Sequence, residues 1–165
     1  MSPPAHQARA SDEHSHDGVA HGHAHHAHAH SPSAAAVNGA EGIVVAHESL
    51  RHFENNGNDL VGIATPSLGS REHEVWRSTI AVGSQTPRHT HESEEIFVFL
   101  RGTGRAEVGG KVTEFSAPAT VIAPAHVPHQ FFNTGSEPTD AIVIVRLGST
   151  IVDAQGVPLQ LPWRK

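Results

Sequence analysis

A short run in the middle of the chain holds residue types suited to gripping a cation: His89-Thr90-His91, followed by Glu95. Successive side chains of a strand alternate between its faces, so His89 and His91 would share one side, roughly 7 Å apart. Two imidazoles so placed can bind one ion if the local backbone bends. A short turn at Glu92–Glu94 would then return Glu95 to the same ion. Neutral imidazole nitrogens and a charged carboxylate oxygen together suit a divalent transition metal. A plainer reading leaves the two histidines as a solvated pair. Glu94 is an alternative to Glu95, with a spacing that fits less well.

The elements that must position these groups read as strands. Gly and Pro recur every 8–12 residues, with short β-branched and aromatic runs between them, the pattern of an all-β sandwich or barrel. Strands are expected at 42–46, 60–64, 74–82, 95–100, 104–108, 111–115, 120–122, 130–133 and 139–147. Gly109-Gly110 marks a two-residue hairpin, because both turn positions tolerate positive φ. Asn55-Asn56-Gly57-Asn58 and Asn133-Thr134-Gly135-Ser136 are further turns. A short helix over 48–54 is a weak alternative to irregular structure there.

Composition narrows the function. The chain has 165 residues, sixteen of them histidine, and neither cysteine nor tyrosine. Thiolate metal sites, disulfides, cysteine nucleophiles and a Tyr-Cys crosslink are therefore excluded. A net charge of −6 opposes a nucleic-acid face. No apolar run approaches the roughly 20 residues of a membrane helix. Met1-Ser-Pro-Pro-Ala-His shows no basic segment leading into an apolar one, so the expected location is cytoplasmic.

Residues 1–40 are rich in histidine and poor in bulky apolar side chains. Such a stretch cannot offset the entropy of ordering it, so it is expected to be a disordered tail and linker. Residues 41–165 are expected to form the single folded domain. Within the tail, His21, His23, His25, His26, His28 and His30 could take additional Ni, Zn or Cu. They could equally respond to pH, or be neutral drift.

The run Gly83, His89-x-His91, Glu95, Gly102 resembles the first motif of the cupin superfamily, with each spacing matched. Pro124-Ala-His126-Val-Pro-His129-Gln-Phe-Phe-Asn133 resembles the second, keeping its Pro, final His and Asn. It departs where the family has glycine: His126 and Pro118 occupy those places. The resemblance spans residues 76–147 and is nearest to small single-domain, RmlC-like bacterial members. It implies a double-stranded β-helix, or jelly-roll barrel. It also implies His89, His91, Glu95 and His129 as ligands of one divalent metal (Fe, Mn, Ni or Zn).

The implied function is a metal-dependent enzyme acting on a small organic molecule. Dioxygenase chemistry is the first choice, and isomerase, lyase or cyclase chemistry is also open. The alternative is a non-catalytic cupin that binds a metabolite, or stores and delivers metal with its His-rich tail. The resemblance also allows a homodimer.

Arg88, Phe97, Phe99, His126, Phe131 and Asn133 are candidate pocket residues. The three phenylalanines either wall the pocket or pack the core. His126 lies either at its rim or on a surface loop. Gln130 should point away from the ligands if its strand is regular. Arg77, Arg101 and Arg146 lie in strands; either they sit on exposed edges or one meets a substrate carboxylate inside the barrel.

Overall fold

The computed structural model describes residues 41–164. The expected tail, residues 1–40, lies outside the described residues, as does Lys165.

Twelve strands follow in chain order: β1 Phe53–Asn55, β2 Asn58–Ala64, β3 His73–Ile80, β4 His89–His91, β5 Glu95–Arg101, β6 Thr103–Val108, β7 Lys111–Ser116, β8 Ala119–Ala123, β9 His129–Asn133, β10 Thr139–Arg146, β11 Ile151–Asp153 and β12 Pro158–Leu159. They form two six-stranded sheets. One runs β1-β2-β3-β10-β5-β8 and the other β12-β11-β4-β9-β6-β7. Their ladders are antiparallel, and most strands show the alternation of a sheet buried on one face. In β10, Thr139, Ala141, Val143 and Val145 turn inward; in β5, Glu95, Phe97 and Phe99 do. Between the sheets, Phe97 and Phe131 meet at 4.1 Å between ring centroids, and Phe99 joins them.

The expected Gly109-Gly110 hairpin forms, and the expected turn at Asn55–Asn58 closes a second one. Asn56 and Gly57 take φ of 50° and 76° between β1 and β2, while Gly109 and Gly110 take 59° and 83° between β6 and β7. Gly102, between β5 and β6, has φ 89°, and a Cβ there would lie 2.9 Å from the Thr139 Cα. Only glycine fits that corner.

Two expectations are corrected. Residues 42–46 are irregular, because Ile43 and Val44 stand exposed with no strand to pair with. No helix forms over 48–54; the Asn56-Gly57 turn instead folds Phe53–Asn55 back on β2. The short strands β11 and β12 were not expected at all. Two or three residues, one a proline, leave too little alternation to detect.

The C-terminal segment bridges the two sheets. β11 pairs with β4, and the chain then runs to a 3-10 turn at Pro162–Arg164. There Arg164 makes charge-assisted hydrogen bonds to fully buried Glu74 of β3, two of them at 2.9 Å. The Trp163 indole donates to the same carboxylate at 3.2 Å.

Candidate metal centre

The ligand-type residues come from both sheets. His89 and His91 lie on β4, with His129 opposite His89 on β9, and Glu95 opens β5 in the facing sheet. The turn between β4 and β5 is anchored: Glu92 N–H donates to the Thr150 carbonyl at 3.2 Å and Ser93 N–H to Ser149 Oγ at 3.1 Å. That crossing between sheets returns Glu95 to the histidines.

Their ligand atoms lie within 4.8 Å of one another. Nε2 of His129, His91 and His89 stand 2.7, 3.0 and 3.4 Å from one atom, Glu95 Oε2. Donors sharing one ion at about 2.1 Å in adjacent positions lie roughly 3 Å apart, so this spacing suits a common ion. Glu95 and His129 are 1% exposed, and the His89 side chain, at 11%, is the most open.

The surrounding hydrogen bonds fix which nitrogens face inward. His89 Nδ1 donates to the Pro87 carbonyl at 2.8 Å, and His129 Nδ1 to the Val127 carbonyl at 2.9 Å. A carbonyl only accepts, so each Nδ1 carries a proton and leaves Nε2 free to offer its lone pair. Both nitrogens of His91 are buried without a hydrogen-bond partner. A lone pair 2.7 Å from a carboxylate oxygen is unfavourable unless a proton or a cation lies between them. The donor set therefore fits a divalent transition ion.

Without metal, Glu95 and His89 favour each other's charged forms. Burial alone would raise the Glu95 pKa, but the three imidazoles outweigh it and hold the carboxyl well below its usual range. Burial alone would lower the His89 pKa; the hydrogen bond and charge of Glu95 outweigh it and raise the value. The stability supplied by Glu95 is present above its unfolded pKa of about 4.3, and is lost as pH falls through its folded value. That supplied by His89 is full below about 6.5 and is lost as pH rises through its folded value. The metal-free protein should therefore have a lower urea midpoint at pH 8 than at pH 6. Saturating metal should reverse the slope, because the ion competes with protons for the same nitrogens.

A cavity of about 990 Å³ opens on this cluster. His89, His91, Glu95 and Phe97 line it, with Trp76, Leu60, Ile151 and Leu161 as further apolar wall and Asn58, Thr86 and Gln130 as polar wall. Of the six candidate pocket residues, Phe97 alone is on the wall. Phe99 and Phe131 are buried in the core behind it, and Asn133 is spent on structure, donating to the Ile80 and Glu137 carbonyls at 2.9 Å. Arg88 is exposed beside Glu107, and His126 is on a surface loop.

Gln130 differs in the other direction. Its Nε2 donates to the Thr86 carbonyl at 2.8 Å, and it joins the cavity wall. Arg77, Arg101 and Arg146 are exposed, and Arg77 pairs with Asp140 at 2.7 Å. None of them reaches the cavity; Arg51, before β1, is the arginine on its wall. Sequence reasoning missed that arginine because β1 itself was missed.

His126 explains how a residue replaces the family's glycine. It sits at φ 62°, and its N–H donates to the His91 carbonyl at 2.7 Å. Histidine enters the left-handed region more readily than most residues, at a cost of about 1–2 kcal/mol for a side chain with a Cβ. His126→Gly should leave stability unchanged or raise it by up to about 1 kcal/mol, and β-branched His126→Val should lower it by about 2 kcal/mol. Urea denaturation of the metal-free variants reads both.

Residues 76–145 match the Cupin domain family. Auxin-binding protein 1 of Arabidopsis thaliana is 40% identical over 86 residues, covering 47% of this chain and 43% of that protein. Auxin-binding protein T85 of Nicotiana tabacum is 37% identical over 87 residues, covering 47% and 46%. The chain thus spans less than half the length of these curated relatives. Among solved structures, the polyketide cyclase RemF from Streptomyces resistomycificus superposes with a TM-score of 0.56 at 16% identity, covering 66% of this chain and 84% of that one. The Lactobacillus farciminis oxalate decarboxylase superposes with 0.58 at 19% identity, covering 64% and 33%. At such identities the structural likeness speaks for the fold alone. No helix among the described residues is long and apolar enough to cross a membrane.

Proposed function

We propose that this chain, whose residues 76–145 match the Cupin domain family, is a metal-dependent enzyme acting on a small organic molecule. His89, His91, Glu95 and His129 would hold one divalent transition ion. The observation that carries this reading is the convergence of three Nε2 atoms on one buried carboxylate oxygen, on the wall of an open cavity. Four protein ligands leave further positions for a substrate, and the ion would supply Lewis acidity to a substrate oxygen.

The chain's own groups do the rest. The Pro87 and Val127 carbonyls hold two imidazoles in their binding tautomer. Trp76, Leu60, Phe97 and Leu161 remove the apolar body of a substrate from water. Dioxygenation is the first reaction class, since an ion with open positions beside an apolar wall suits oxygen chemistry. Isomerase, lyase and cyclase reactions use the same site features.

A second reading is favoured by one observation: the curated relatives described above are named auxin-binding proteins. On that reading the cavity binds a metabolite without turnover. Oxygen uptake by metal-loaded protein across catechols, thiols and enolic acids separates the two. Uptake that His129→Ala abolishes supports an enzyme. Tight ligand binding with neither oxygen uptake nor substrate loss supports the binding module.

A further inference from the structure

We propose that Asn58 forms a second anchoring point in the cavity, an acceptor that selects ligands carrying a hydroxyl or N–H donor on an apolar body. The inference deepens the metal-site reading and rests on it.

Asn58 opens β2, is 9% exposed and lines the same cavity as His89, His91 and Glu95. Its orientation is fixed, because Nδ2 donates to the Gln85 carbonyl at 2.9 Å and more loosely to the Asn55 and Asn56 carbonyls at 3.4 Å. A flipped amide would set its oxygen against three carbonyl oxygens. Asn58 Oδ1 is therefore the free end, and it is buried without a hydrogen-bond partner. An acceptor with two lone pairs and no partner is unfavourable where water is excluded.

The turn and the Gln85 loop use only the Nδ2 end of Asn58, and the inward face of β2 continues with apolar Leu60. On the neighbouring strand, Ser78 lines the cavity opposite Leu60, with Trp76 on the same inward face. The site thus combines an aromatic wall, a buried acceptor and an ion-binding cluster. That combination fits a flat apolar ligand with a metal-seeking oxygen at one end and a donor elsewhere on its ring. A site that leaves a buried acceptor unpaired rejects analogues lacking the donor.

The test uses the full chain loaded with Zn(II) and three probes of one length: 3-phenylpropanoate, 3-(4-hydroxyphenyl)propanoate and 3-(4-methoxyphenyl)propanoate. The same trio on an acetate stem covers a shorter reach. Calorimetry should show the hydroxyl member of at least one trio binding about 10-fold more tightly than both others in the wild type. His129→Ala, with its zinc site lost, should bind all members weakly.

In Asn58→Leu the hydroxyl preference should vanish while zinc content stays near wild type; the melting temperature should fall by a few degrees, because the Gln85 carbonyl loses its donor. If that variant does not fold, the methoxy probe still decides in the wild type, since it keeps the bulk and loses the donor. Equal affinities within each trio, no binding of any probe, or a preference surviving in Asn58→Leu would overturn the subsite. Loss of zinc retention in the wild type would instead overturn the metal reading beneath it.

Discussion

Glu95→Gln should cost the protein its metal. The substitution keeps the volume of the side chain and removes its charge, so three imidazoles face a neutral amide where a buried carboxylate oxygen stood. Removing a hydrogen bond that merely supports a ligand typically lowers metal affinity by 10–100-fold. Losing a charged ligand from a four-residue set should exceed that, with a fall of more than about 100-fold. His129→Ala should behave alike, because His129 is buried and its lone pair is fixed toward Glu95 by the Val127 carbonyl. Competition with a chelator of known affinity measures both. Glu94→Gln is the control and should leave the affinity within about 2-fold, since Glu94 is exposed and absent from the cluster.

The second large effect is on stability. Arg164→Ala should destabilise the domain by about 3–5 kcal/mol, because it strands the Glu74 carboxylate in the interior. The melting temperature should fall by roughly 10 °C or more. The paired change Glu74→Leu with Arg164→Leu should recover most of the loss, since an apolar pair of similar volume avoids the desolvation cost. The recovery separates a buried-charge effect from loss of packing around Trp163, which sits 5.6 Å from Trp76 between ring centroids. Leu161 and Pro162 of the same segment line the cavity, so Arg164→Ala should also weaken ligand binding.

These two sites were unequally legible in the sequence. The His89-x-His91…Glu95 spacing is local, and strand alternation makes its geometry readable. His129 is forty residues from His89 in sequence, and no periodicity links them. Only the family motif marks it, and the structure sets it opposite His89 across the β4–β9 pair. The Glu74–Arg164 pair had no signal, being an ordinary acid in a strand and an arginine near the last residue. Cross-sheet neighbours of this kind depend on how the C-terminal segment crosses from one sheet to the other.

The core strands were read nearly to their ends because one buried face imposes alternation on them. The cavity wall was read poorly. An inward-facing side chain either packs the core or borders the cavity according to its height in the barrel, and alternation carries no information about height. Phe97 and Phe99 share one face of β5, yet only Phe97 reaches the cavity. In sequence Asn58 is turn chemistry, and its turn forms; its free acceptor follows from the Gln85 carbonyl holding the amide, a contact 27 residues away.

The most direct test of the metal centre is the stoichiometry of residues 41–165 expressed alone, which removes the nine tail histidines from the count. Supplied with Fe(II), Mn(II), Ni(II) or Zn(II) and then desalted, that domain should retain about one ion per chain for at least one metal, and His89→Ala should retain none. A folded wild-type domain that stays metal-free with every ion supplied, or that holds its ion unchanged after His89→Ala, would contradict the assignment.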